Sequence, residues 1–307
     1  LEDMTPCIAC LQGCVANMYA GNPVCCLTNP FLGHEAEPIE KTENPKKVMV
    51  IGGGVAGLCA AFIAKEKGHE VTLYEAGDVL GGNMRLAAYP PGKGDITNMI
   101  RSYIHRCQKD GVKIVMSCEV TPELIKEEKP DSVIIATGSK TLILPIEGID
   151  NPAIIHGSDL LDGKRAAGKK VLVVGGGMVG CETAAFLGEQ EHDVTVIEFR
   201  DTVGADVIHE HRVYLMKDFE DYGIKEITGA KVCKFYEDGV EYETADGVRH
   251  ETRGYDSVIL SMGFRNYNPL EEKIKDLVPE THVIGDAIRA RRALDATKEA
   301  YAVASKL

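Results

Sequence analysis

Five of the ten cysteines fall within PCIACLQGCVANMYAGNPVCCLTNP, residues 6 to 30. Cys7, Cys10 and Cys14 form C-x2-C-x3-C, and Cys25 or Cys26 follows after ten or eleven residues. Thiols so spaced could make a disulfide framework, a zinc site or an iron–sulfur site. A disulfide framework needs an oxidising compartment, and the other five cysteines are scattered rather than paired by spacing. Four thiolates suit tetrahedral zinc, although zinc sites usually draw on two separated C-x2-4-C pairs. Three close cysteines plus a distant fourth fit a [4Fe–4S] arrangement better. Spacing alone leaves zinc and iron–sulfur both open.

A second kind of chemistry is written twice. VMVIGGGVAGLCAAFIAKEKGHEVTLYEA starts at Val48 and VLVVGGGMVGCETAAFLGEQEHDVTVIEF at Val171, an offset of 123 residues. Each opens with four apolar residues, as a strand buried on both faces requires. A glycine turn, an Ala-rich helical stretch and a second apolar strand ending in an acid come next. In G-x-G-x-x-G, here Gly52, Gly54, Gly57 and Gly175, Gly177, Gly180, the first glycine makes the turn. The second lets a pyrophosphate approach the backbone, and the third packs helix on strand. The phosphates are then held by free N–H groups and the positive end of the helix dipole. Glu75 and Glu198, each 23 positions after the first glycine, can accept hydrogen bonds from a ribose 2′-OH. Two dinucleotide sites are expected.

Further stretches extend the cofactor set. LGGNMR supplies Gly82, Asn83 and Arg85, an arginine able to pair with phosphate. VIIATGS runs through Ala136, Thr137 and Gly138, and VILSMGF repeats that pattern as far as Gly263. Gly285 and Asp286 close a short strand ahead of a helix, which suits a carboxylate against the ribityl hydroxyls of FAD, a helix N-cap being the plainer use of the aspartate. Ala56, inside the first motif, and Val120 complete the expected cofactor-binding residues. This ordering resembles the two-dinucleotide flavoprotein reductases related to thioredoxin and glutathione reductases. The resemblance implies a discontinuous FAD domain, residues 45–150 and 265–307, with an NAD domain, 151–264, inserted. Cys181 stands alone in the second motif, and neither nucleotide unit holds a C-x2-C or C-x4-C pair. A dithiol product is therefore not expected.

CIACLQGC followed by CLTNP, with LGHE, LAAYPPGK and LPIEGID downstream, resembles the old yellow enzyme-related iron–sulfur flavoproteins. That group includes 2,4-dienoyl-CoA reductase, enoate reductases, the bile-acid-inducible NADH-dependent reductases and trimethylamine dehydrogenase. The resemblance implies a [4Fe–4S] cluster on Cys7, Cys10, Cys14 and Cys26, in a segment spanning residues 1–44, with Cys25 spare. It further implies a hydride from NADH to FAD, then single electrons to the cluster and on to FMN. The FMN would lie in an N-terminal TIM barrel that reduces an activated C=C bond in an enoate, enoyl-CoA or similar substrate. A barrel needs about 250 residues, and none of it is in the sequence, which starts at Leu1. The chain reads as the C-terminal half, and no catalytic side chain is named in it. The alternative implied by trimethylamine dehydrogenase is a structural ADP-binding domain beside a cluster that serves a partner flavoprotein.

The elements needed to position these residues are those of an α/β protein with two Rossmann-like dinucleotide-binding domains after a short cysteine segment. At 307 residues, 44% hydrophobic and 26% charged, the chain has room for about two domains. A net charge of −13 disfavours nucleic acid as a partner, since phosphate backbones want basic faces. No apolar run approaches the ~18 residues of a membrane helix, and no signal peptide is visible. Reduced thiols then suggest a cytoplasmic home. Glu198 favours NADH over NADPH, with Arg200 as the reservation. Glu182 reads either as a contact on the nicotinamide side or as a solvated helix glutamate. His156, His209 and His211 read as surface histidines.

Overall fold

The computed structural model describes residues 3–307. The chain divides into two compact units. The first takes the described residues up to Ala88, then Asp95–Lys140 and Arg265–Leu307; the second takes Tyr89–Gly94 and Thr141–Phe264.

The first unit is built on a five-stranded parallel sheet in the order Glu280–Val283, Ser132–Ile135, Lys47–Ile51, Glu70–Tyr74, Lys113–Val115. The strand at Lys47–Ile51 is apolar along its length because both faces are covered. Val48 and Val50 enter one core with the helix Val55–Glu66, while Met49 and Ile51 enter another on the opposite face. Ten consecutive residues of that helix, Val55 to Ala64, are buried, which explains the Ala-rich reading: small side chains let a helix lie close to a sheet. Phe62, Leu58 and Ile63 are its largest fully buried side chains, worth about 1.5–3 kcal/mol each.

The second unit repeats this plan. Its parallel sheet runs Ile155–His156, Ser257–Leu260, Lys170–Val174, Asp193–Ile197, Lys225–Ile227. Lys170 pairs with Asp193 as Lys47 pairs with Glu70, so the 123-residue offset extends to strand register. Val171 and Val173 face one core and Leu172 and Val174 the other. An antiparallel sheet, Lys231–Tyr236, Gly239–Glu243 and Arg249–Thr252, completes the unit. Among the described residues no helix is long and apolar enough to cross a membrane.

Candidate functional site: two nucleotide turns and a thiol segment

In both copies the first glycine is held where no other residue fits. Gly52 and Gly175 have φ of +110° and +107°, and a Cβ would stand 2.3 Å from the Ala136 carbonyl oxygen or 2.4 Å from that of Ser261. At Gly57 and Gly180 a Cβ would lie 1.8 Å from the carbonyl oxygen of Gly52 or Gly175. The third glycine therefore exists for the close approach of helix to turn. The terminal acids are set identically. Glu75 accepts from Gly53 N (2.7 Å) and Gly77 N (2.7 Å). Glu198 accepts from Gly176 N (2.6 Å) and Arg200 N (2.9 Å). Each carboxylate is thus pinned beside its turn, with lone pairs left for a ribose hydroxyl.

Around the first turn the structure assembles most of the expected residues. At Gly54 a Cβ would meet nothing nearer than Gly82 Cα at 4.0 Å, which leaves a cradle at the start of the helix Val55–Glu66. Ala56 sits in that first turn, and Gly285 packs against it: a Cβ on Gly285 would be 3.0 Å from Ala56 Cβ. Asn83 Nδ2 lies 3.3 Å from Ser139 Oγ, and Ser139 Oγ donates to Asp286 Oδ2 (2.9 Å). Asp286 Oδ1 accepts from Arg291 N (3.0 Å), and the next helix begins only at Ala293 with Arg292 as its N-cap. The helix terminus thus stands further along the chain than the sequence suggests, because residues 288–292 form an intervening loop. Thr137 Oγ1 donates to the Tyr267 carbonyl, and Gly138 (φ +73°) has open space beside it. Arg85 lies in the last turn of the short helix Asn83–Leu86. Val120 is buried in the apolar core with Tyr74 and Ile125.

The second turn differs in what faces it. Asp206 Oδ1 accepts from Met178 N (2.8 Å), the first residue of the helix Met178–Glu189. A Cβ on Gly177 would lie 3.4 Å from Asp206 Oδ2. Glu182 is 8% exposed and paired with Lys93, so it is not the solvated helix glutamate that was one reading of the sequence. Burial pushes its carboxyl above the usual range, partly opposed by Lys93. Cys181 is buried and donates to the Gly176 carbonyl (3.2 Å). Burial pushes this thiol up to about 12, which makes it unreactive. Gly263 (φ +99°) has open space. His156, rather than lying on the open surface, ends a strand with Nδ1 buried and without a hydrogen bond.

The cysteine segment folds onto itself. All ten cysteines are free thiols. Ala9 and Leu11, between the first three cysteines, take left-handed φ of 51° and 54°, a costly conformation that loops adopt around fixed sites. Cys25 N donates to the Gly13 carbonyl (2.9 Å), and a Cβ on Gly13 would stand 2.4 Å from the Cys25 carbonyl oxygen. Only glycine allows this approach. Burial pushes the Cys10 thiol up, and Cys26, Cys14 and Cys7 press in the same direction. Cys25 instead receives Asn17 Nδ2 at 3.3 Å, while Cys26 Sγ lies 3.3 Å from Thr28 Oγ1. Among the described residues no three His, Cys, Asp or Glu side chains converge as ligands of a single metal ion.

Sequence reading missed Gly13, Ser139, Lys93 and Asp206. Gly13 stands in the quoted motif, and its size there was the available signal. For the other three, nothing local in the sequence announces the partner.

The pyridine nucleotide-disulphide oxidoreductase family matches residues 46–278. Among curated proteins, the chain is 32% identical to a metal reductase of Desulforamulus reducens, over 99% of this chain and 50% of that protein. It is 32% identical to a cinnamate reductase of Clostridium sporogenes, over 100% of this chain and 46% of that one. Among solved structures, a 2-naphthoyl-CoA reductase complex superimposes with a TM-score of 0.94 and 32% identity, covering 100% of this chain and 47% of the other. The chain thus spans about half the length of these relatives. With two glycine turns of one design on two parallel sheets, the chain belongs to the pyridine nucleotide-disulphide oxidoreductase family, a fold that implies FAD and NAD(P)H, and corresponds to the reductase half of old yellow enzyme-related flavoenzymes.

Proposed function

We propose that the chain is the electron-input module of an NADH-dependent reductase, with FAD at the first glycine turn, NADH at the second and a [4Fe–4S] cluster on Cys7, Cys10, Cys14 and Cys26. The remainder of the enzyme would carry FMN in a barrel and reduce an activated C=C bond, as the names of the cinnamate and naphthoyl-CoA relatives suggest. When bound, FAD takes up two electrons at once and a cluster accepts one at a time, so together they convert hydride input to single-electron output. The chain's residues would do the binding. Gly54 leaves room for pyrophosphate, Glu75 and Glu198 stand by the riboses, and Asn83, Ser139 and Asp286 form the polar wall of the first site.

The observation that supports the cluster assignment is the close fold of the one segment that bears Cys7, Cys10, Cys14 and Cys26, closed where Cys25 N donates to the Gly13 carbonyl. Burial pushes the Cys10 thiol up and Cys26, Cys14 and Cys7 press the same way; clustered thiolates stay costly until a cation offsets them. Cys25, held by Asn17, is the spare. The second motif as an unused, structural site finds one argument in its favour, the Asp206 carboxylate at the helix start.

One experiment separates these readings: an absorption spectrum under nitrogen before and after one equivalent of NADH, with iron and acid-labile sulfide assayed on the same sample. The proposal requires flavin bands over a broad shoulder, both bleached by NADH, and about four iron and four sulfide per chain. A shoulder without NADH response favours the structural reading, and zinc without sulfide ends the electron-splitting argument.

A further inference from the structure

The two nucleotide turns are each crossed by a strap, and the straps correspond at the same 123-residue offset. In the first, Gly81 N donates to the Gly53 carbonyl (2.8 Å), and Leu80 Cδ2 fills the place of a Gly53 Cβ. In the second, Gly204 N donates to the Gly176 carbonyl (2.7 Å), and Val203 Cγ1 lies 2.9 Å from where a Gly176 Cβ would stand. The backbone device is the same. The side chains just beyond it differ: position 83 is asparagine and its counterpart, 206, is aspartate.

Asn83 directs its amide at Ser139. Asp206 directs a carboxylate at Met178 N, in the first turn of the helix Met178–Glu189. Backbone N–H groups in that turn, with the positive end of the helix dipole, are the donors a dinucleotide pyrophosphate uses. An anion of the protein already occupies one of them. The buried Glu182 further along the same helix is paired with Lys93, which leaves Asp206 as the carboxylate at the helix start.

We propose that Asp206 is an internal competitor for the pyrophosphate of the nicotinamide dinucleotide, and so sets how readily that ligand leaves the second site. This rests on the reading of the second motif as the NADH site. To bind, the dinucleotide must turn the Asp206 carboxylate out of the turn or accept its repulsion. Turning out is feasible because Asp206 is exposed and lies two residues after Gly204, which has a φ of +63°. The rest of the strap stays fixed, since Arg212 binds Thr202 Oγ1 (2.8 Å) and the Val203 carbonyl (3.1 Å). A cosubstrate that must leave in every turnover benefits from such a competitor; a resident cofactor does not, and the first strap lacks one.

The test is calorimetric titration of the whole 307-residue chain with ADP-ribose and with NADH, for the native protein, Asp206→Asn and Asp206→Ser. Both replacements can still accept from Met178 N, so the helix keeps a cap, and FAD content reports that the chain has folded. Removing the charge is expected to lower the Kd of both ligands about tenfold, the low end of what a charge-assisted hydrogen bond is worth, with slower dissociation in stopped flow. A Kd unchanged or raised in both variants, at native FAD content, overturns the proposal. If native protein and variants alike retain FAD but bind no ADP-ribose, the reading of the second motif itself fails, and the competitor with it.

Discussion

The two glycine turns share a backbone and oppose each other in charge. At corresponding positions the first copy has Cys59, Asn83 and Arg85 where the second has Glu182, Asp206 and Ile208. At these positions the first copy has two neutral groups and a cation, while the second has the Asp206 carboxylate at the helix start and Glu182, whose charge Lys93 opposes. The backbone features are indifferent to this: φ at the first glycine, the pinned acid and the strap hydrogen bond agree closely between copies. Glycine geometry shapes each turn so that a dinucleotide could be held there. The charges around it determine how firmly, because an anionic ligand near a helix start gains or loses with every neighbouring charge.

The most severe way to break this comparison is to remove what the copies have in common. Gly57→Ala and Gly180→Ala each place a methyl 1.8 Å from a carbonyl oxygen, which costs about 3 kcal/mol or more in the unit concerned. Urea unfolding followed by flavin absorbance should show Gly57→Ala losing FAD. Gly180→Ala should keep FAD while losing the response to NADH. If Gly180→Ala released its FAD as well, the copies would not be separate sites.

A milder test transplants the difference. Asn83→Asp puts the second copy's carboxylate into the first, beside Asp286 and Ser139. FAD affinity, read from flavin fluorescence released on dilution, is expected to fall about tenfold, the effect of one charged contact. Unaltered FAD retention would mean that charge does not distinguish the sites.

The smallest effect concerns Glu182, whose counterpart is the buried thiol Cys59. Its carboxyl is held above the ordinary value of 4.5 by burial. Since the folded state then binds the proton more tightly than the unfolded state, this group favours folding below the ordinary value. That contribution is lost as pH rises through the raised one. Glu182→Gln cannot titrate, so the stability of native protein relative to the variant should decline as pH rises above the ordinary carboxylate value. Denaturant melts across that range that ran parallel would show the carboxyl to be unperturbed.

Much of this architecture was legible in the residues. Four apolar residues before each G-x-G-x-x-G, and an acid 23 positions on, describe a strand, a turn, a helix and a second strand tip, and the structure has each. The reading held because every requirement is local: a glycine is needed where φ is positive or where a carbonyl lies too close for a Cβ. The cysteine spacing was half legible. It left Cys25 and Cys26 equivalent, and only the fold of the segment turns Cys25 to Asn17 and Cys26 to Thr28.

The residues that went unread are those whose partners are remote. Lys93 meets Glu182 from 89 positions away and Asp206 meets Met178 from 28. Loop lengths bound such distances without giving a direction, so the same aspartate could equally have faced solvent. By itself, the sequence determined two glycine turns, each between a strand and a helix, because glycine spacing acts through the backbone within a few residues. Only the tertiary structure decided which charges stand at each turn, because an ionised side chain's effect depends on where distant parts of the chain bring it.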